Sequence, residues 1–198
     1  MKTKTNAGVH NMDTGTSDDN SVTLSALQAS LSKFEPSSDL RIDAKSERET
    51  LVEVVTIDED DFDGCFSVLD RSWINYRAIS TFEVLSDQTI EVAKLANVIN
   101  NEMLFGAFIC SIPDEGQMCR VVYSHTMLVS SAKLATDQIH NFNVASRCQL
   151  DHWLPLLKTV ATTRRTCDQT WGEFLADIEN HNNELRRLCG FTLISQMT

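Results

Sequence analysis

The sequence predicts an α+β fold, an antiparallel sheet of about five strands covered by helices. Three observations carry that expectation. Segments that are β-branched or alternate apolar with polar follow one another as neighbours at 51–57, 65–69 and 73–85, and again at 105–112 and 118–129. Segments with apolar residues at helical spacing flank and separate these two groups instead of alternating with single strands. A length of 198 residues with 42% hydrophobic content suits one domain with its own core.

Residues 1–20 are polar and have almost nothing to bury, so a disordered tail is expected there, followed by a single domain over 21–198. Leu24, Leu27, Leu31 and Phe34 recur at helical spacing, with Ser21 or Thr23 as cap and Pro36 beyond the end. Leu51 to Ile57 reads as a strand. The acidic run 58–63 then turns the chain, closed by Asp63-Gly64, into the apolar segment Cys65 to Leu69. From Trp73 to Leu85 the even positions Ile74, Tyr76, Ala78, Phe82 and Val84 share a face.

After Ser86-Asp87, a stripe of Val92, Leu95, Ala96, Ile99 and Met103 predicts a helix. The strands 105–112 and 118–129 are joined by a turn at Pro113-Asp114-Glu115-Gly116. Val121, Tyr123, His125, Met127 and Val129 fall on one face of the second strand. A short helix follows around Ala135, Ile139 and Phe142, then another from Leu150 to Ala161, begun or kinked by Pro155. The strongest stripe is the last: Trp171, Phe174, Leu175, Ile178, Leu185 and Leu188 predict a helix over 168–190. Asp168 or Thr170 would cap it, Glu173 would complete a Thr-x-x-Glu box, and Gly190 would stop it.

The net charge is −11, from 28 acids against 17 bases. A surface of that sign does not displace counterions from duplex nucleic acid or settle on an anionic membrane. The imbalance is local, since 14 acids but only 6 bases precede Gly64. No apolar run reaches transmembrane length and no secretory h-region follows the N-terminal lysines, so a cytoplasmic protein is expected. Its six cysteines, at 65, 110, 119, 148, 167 and 189, contain no C-x-x-C and read as reduced, mostly buried thiols.

Catalytic and metal motifs are thin. Glu59 to Asp70 places acids at positions one, three and five of a calcium loop and glycine at six, but Asp70 is short for the bidentate last ligand. Strand-like flanks favour an acidic hairpin turn. Ser124 and His125 sit on opposite faces of one strand, and no G-x-S-x-G is present, so no hydrolase site is expected. His140, His152 and His181 default to surface or boundary positions, and Arg164-Arg165 and Arg186-Arg187 to helix ends, where they offset the dipole.

Between about Glu91 and Ala161 the chain resembles the YbjN family of proposed bacterial sensory-transduction regulators. The residues that carry this are the helix end Leu95-Ala96-Asn97-Val98-Ile99-Asn100-Asn101, the strand Phe105-Gly106-Ala107-Phe108, the strand Arg120 to Thr126, and the helix segment Leu150-Asp151-His152-Trp153-Leu154-Pro155-Leu156-Leu157. The resemblance implies a fold like that of type III secretion chaperones, whose helices mediate dimerisation or partner docking, and it implies no catalytic residue and no cofactor. The expected function is therefore a non-enzymatic protein-binding module, regulatory or chaperone-like, with homodimerisation open. The alternative is a calcium- or redox-responsive regulator using the 59–70 loop or the cysteines. Partner-binding residues are expected on the last helix, at Trp171, Phe174, Leu175, Ile178 and Leu185, with packing on the sheet as the competing role for that stripe.

Overall fold

The structure, a computed structural model, describes residues 24–34, 41–47, 50–58, 61–69, 73–111, 118–129 and 136–188. Ten elements run in the order α1 (Leu24–Phe34), β1 (Arg41–Glu47), β2 (Thr50–Asp58), β3 (Phe62–Leu69), β4 (Trp73–Ser80), α2 (Thr89–Glu102), β5 (Ala107–Ser111), β6 (Arg120–Leu128), α3 (Thr136–Thr162) and α4 (Cys167–Leu188). The strands form one six-stranded sheet in the order β1-β2-β3-β4-β6-β5, antiparallel throughout. β1 to β4 follow as a meander. α2 then carries the chain across, so β5 enters at the far edge and β6 returns between it and β4.

Period two sorts the side chains. On β4, Ile74, Tyr76, Ala78 and Ser80 are buried, while Trp73 and Arg77 are exposed. Register extends the buried face to Phe66 and Val68 on β3 and to Tyr123, His125 and Met127 on β6. The helices lie on that face. Leu27 and Leu31 of α1, Val92, Leu95 and Ile99 of α2, and Ile139, Phe142, Leu150, Leu157 and Val160 of α3 join it in one apolar cluster. Aromatic rings tie the layers, with Phe66 centred 4.6 Å from Tyr76 and 6.3 Å from Phe142. On the opposite face Asn75 donates to Ser124 Oγ (3.1 Å) and Thr126 Oγ1 (2.7 Å), between the exposed Trp73, Ile109 and Leu128.

The α+β class and the helix-covered antiparallel sheet agree with the sequence, and four details differ. First, the sheet has six strands rather than five. β1, Arg-Ile-Asp-Ala-Lys-Ser-Glu, is too charged to show an apolar pattern and is recruited by backbone pairing to β2. Charge suits an edge, where it discourages pairing with other chains. Second, the two helices expected at 135–161 are one helix of 27 residues. Asn143 and Ser146 are polar but fully packed, so they interrupt the apolar pattern while the helix continues beneath it. Pro155 lies inside it. Proline there costs about 3 kcal/mol, and burial of Leu150, Leu154, Leu157 and Val160 on both sides of it offsets that.

Third, the strand from Trp73 stops at Ser80. The Ser80 hydroxyl donates to the carbonyl of Phe82 (2.8 Å) and accepts from the N–H of Val121 (3.1 Å), so it ends β4 while holding it to β6. Fourth, the acidic hairpin turns earlier than Asp63-Gly64. Asp63 pairs with Asp58 and Gly64 with Ile57 inside the ladder. Asp61 forms an ion pair with Lys158 on α3. The tail at 1–20, the caps at Ser21 and Thr23, Pro36, Glu59, Asp60, Asp70, the turn 113–116, Cys189 and the stop at Gly190 lie outside the described residues.

Candidate functional site

α4 is fastened at its start and free beyond it. Thr166 caps it reciprocally: its hydroxyl accepts from the N–H of Gln169 (3.3 Å), and its own N–H donates to Gln169 Oε1 (3.1 Å). This capping box lies four residues before the expected one. Thr170 is buried instead, and Glu173 forms an ion pair with Arg165. Arg165 lies past the end of α3, in the link to α4, so it does not serve the α3 dipole as expected. The next N–H, of Cys167, donates to Glu91 Oε2 on α2 (2.9 Å), and Lys94 donates to the other oxygen (2.7 Å). The Lys94 hydrogen bond and then the Cys167 N–H hold the Glu91 carboxyl below its usual range. A carboxylate at a helix N-terminus also answers the dipole.

The five candidate partner-binding residues divide into two groups. Trp171 stacks on Trp153 of α3 at 6.1 Å between ring centres, and Phe174 rests 5.4 Å from Trp153 and 5.3 Å from Trp171. His152 adds an edge against Phe174 at 5.7 Å. These rings fix the first two turns to the body. From Leu175 to Arg187 every residue is exposed. Leu175 is 49% exposed, Ile178 42% and Leu185 45%, all on one side of the projecting arm. Arg186 and Arg187 fall in its last turn, as the dipole favours.

A second feature opens between β6 and the start of α3. It is a hollow of about 610 Å³ lined by Phe105, His125, Thr126, Met127, Leu128, Gln138, Asn141, Phe142 and Ala145. His125 sits among aromatic rings, 4.4 Å from Phe142 and 5.7 Å from Phe105. Its Nδ1 bonds Ser146 Oγ at 2.9 Å, a partner the sequence did not suggest, since Ser124 lies on the other face. Burial pushes the His125 pKa down, so the ring is neutral at neutral pH. Tyr123 hydrogen-bonds the same serine, and burial pushes its phenol up to about 12. Ser146 has no exposed surface, so its hydroxyl is turned from solvent and its bond to His125 joins β6 to α3.

The cysteines spread across classes. Cys119 and Cys167 are buried, Cys65 and Cys110 are half-buried, and Cys148 is exposed. Sγ of Cys110 and Sγ of Cys119 lie 3.0 Å apart across the β5–β6 hairpin. In the acidic segment, Phe62 to Leu69 is a strand paired on both sides, a shape that does not curl round an ion. No helix among the described residues is long and apolar enough to cross a membrane.

No protein-family model and no curated protein matches the chain. Among solved structures, YbjN from E. coli, a proposed transcription regulator, matches over 71% of this chain and 93% of its own. The TM-score is 0.53 and the sequence identity 16%. The fold is YbjN-like. At that identity the likeness is one of architecture, and side chains have to be read from this chain. Of the residues that position its YbjN-like core, sequence reasoning missed Ser146, the Cys110–Cys119 approach and the role of Asn100. The first was hidden by its polarity, the second by nine residues of separation. Asn100 gave no periodic signal.

Proposed function

We propose that this chain is a non-enzymatic, cytoplasmic protein-binding module with a regulatory or chaperone-like role, and that the projecting half of α4 is its docking surface. One observation carries the reading: Trp171 and Phe174 already anchor α4, yet Leu175, Ile178 and Leu185 continue the stripe into solvent. A helix that had only to pack on the body has no need of that continuation, and an apolar helical face is a standard partner surface. The acidic composition supports a protein partner over nucleic acid.

The test replaces Leu175, Ile178 and Leu185 with serine in the full chain. The variant should unfold within about 2 °C of the parent, because exposed positions contribute little to stability. It should also lose any protein that cross-links to α4 of the parent in cells. A large loss of stability, or an unchanged set of cross-linked proteins, would contradict the reading.

A second, redox-responsive reading is favoured by the 3.0 Å approach of Cys110 and Cys119. A peroxide oxidant would join the two sulfurs, the peroxide O–O bond breaking and the two thiol protons leaving in two waters. Burial, with the hydrogen bond to Cys119, pushes the Cys110 thiol up to about 12, so the reaction should be slow at pH 7 and quicken with rising pH. Peptide mapping after peroxide treatment should find a Cys110–Cys119 bridge; both thiols still free at pH 9 would remove this reading.

A further inference from the structure

The hollow between β6 and α3 holds an unused hydrogen-bond acceptor in an aromatic wall. We propose that it is a binding site for a small, uncharged, planar aromatic molecule carrying an N–H or O–H donor, which His125 Nε2 receives. The site is separate from α4, so it stands or falls independently of the protein-binding reading above.

Valence decides the His125 tautomer. Tyr123 and Ser146 each own one hydroxyl proton. The Tyr123 proton goes to the Phe105 carbonyl (3.4 Å), which can only accept. At Ser146 the phenol oxygen must then accept, which commits the Ser146 proton to Tyr123. Ser146 Oγ, 2.9 Å from His125 Nδ1, is left as an acceptor, so Nδ1 carries the proton of the neutral ring and Nε2 a lone pair. His125 lines the hollow. With Nδ1 turned to the fully buried Ser146, Nε2 is the nitrogen left to the open side. It has no partner among the described residues and is not sealed from solvent.

Aromatic rings make the walls. Phe105 stacks on His125 at 5.7 Å between centres, and Phe142 lies 4.4 Å from it on the helix side. Yet Phe105 is 50% exposed and Leu128 57%, so two large apolar side chains meet solvent at a hollow of about 610 Å³. A flat ring laid against Phe105 covers that surface, with the geometric preference that rings have for rings. The volume is in the range of small-molecule sites, which set a few polar groups in a mostly apolar lining. Here those groups are Nε2 and the side-chain amides of Gln138 and Asn141 on α3.

Among the described residues, none that lines the hollow is charged once His125 is neutral. A carboxylate, a phosphate or an ammonium group would enter without a counter-charge, which selects an uncharged ligand. A ligand with acceptors alone would set its lone pairs against that of Nε2, which selects a donor.

Indole and benzofuran share one outline, and only indole has an N–H. Titrated into the isotope-labelled full chain at neutral pH and followed by NMR, indole should bind saturably with a dissociation constant of about 0.1–1 mM, as suits so small a ligand. Benzofuran should bind at least about five-fold more weakly. Long-range proton–nitrogen correlations of the unliganded His125 ring should place its proton on Nδ1. Ala145→Leu, which fills the hollow from α3, should abolish binding of both while its circular dichroism stays that of the parent. His125→Phe keeps a ring and removes the acceptor, so indole should fall to the affinity of benzofuran; if that variant does not fold, the tautomer and Ala145→Leu still decide. No saturable binding of indole, equal affinity of the two for the parent, a proton on Nε2, binding that survives Ala145→Leu, or an indole preference that survives His125→Phe would each overturn the proposal. N-acetyltryptophanamide binding more tightly than indole would also overturn it, by making the occupant a side chain of a peptide.

Discussion

Phe108 sits on β5, the outer strand of the sheet, with its ring against Tyr123 of β6 and its backbone polar groups turned to α2. The Asn100 side-chain amide accepts from the Phe108 N–H at 2.7 Å and donates to the Phe108 carbonyl at 2.9 Å. One side chain thus answers both polar groups of a buried edge residue, as a further strand would, and closes the edge to other chains. Asn100→Ala leaves both groups unpaired and should cost about 1–3 kcal/mol, read as a thermal midpoint lower by several degrees. An unchanged midpoint would show that water replaces the amide freely. Next to it, Gly106 has φ +72° and a Cβ there would lie 2.5 Å from the Tyr123 hydroxyl. Both backbone and space demand glycine at this bend. Tyr123 in turn donates to the Phe105 carbonyl at 3.4 Å.

At the scale of the element, legibility follows how each segment gains its stability. α1 and α2 show clean apolar stripes because each buries one face, and β3, β4 and β6 alternate because each has one covered face. β1 gave no such signal because its place is set by pairing with β2. α3 appeared broken because Ser146 spends a buried position on His125 and Tyr123 instead of on apolar packing. The N-terminal box of α4 was misplaced by one turn, since Thr166/Gln169 and Thr170/Glu173 fit the same pattern and only contact with Glu91 separates them. The stripe of α4 was legible in full. Its division into an anchored and a free half was not, because that depends on where the rings of Trp153 and His152 end.

At the scale of the molecule, the fold is one-sided: the helices pack on a single face of the sheet, and α4 leaves that layer after two turns. Half of the 28 acids precede Gly64, so the remainder, with 14 acids and 11 bases, is closer to balance, and the arm carries both signs. Such a surface suits association with another protein more than attraction to a polyanion. The docking proposed for α4 requires its distal half to be free of the body of its own chain. Hydrogen exchange along α4 in a dilute sample, at about 1 µM protein, tests this most directly. Amides from Thr170 to Phe174 should exchange slowly, while those from Asp177 to Arg187 should exchange fast. Equal, slow exchange along the whole helix in the dilute sample would contradict it, for the arm would then be part of the folded body.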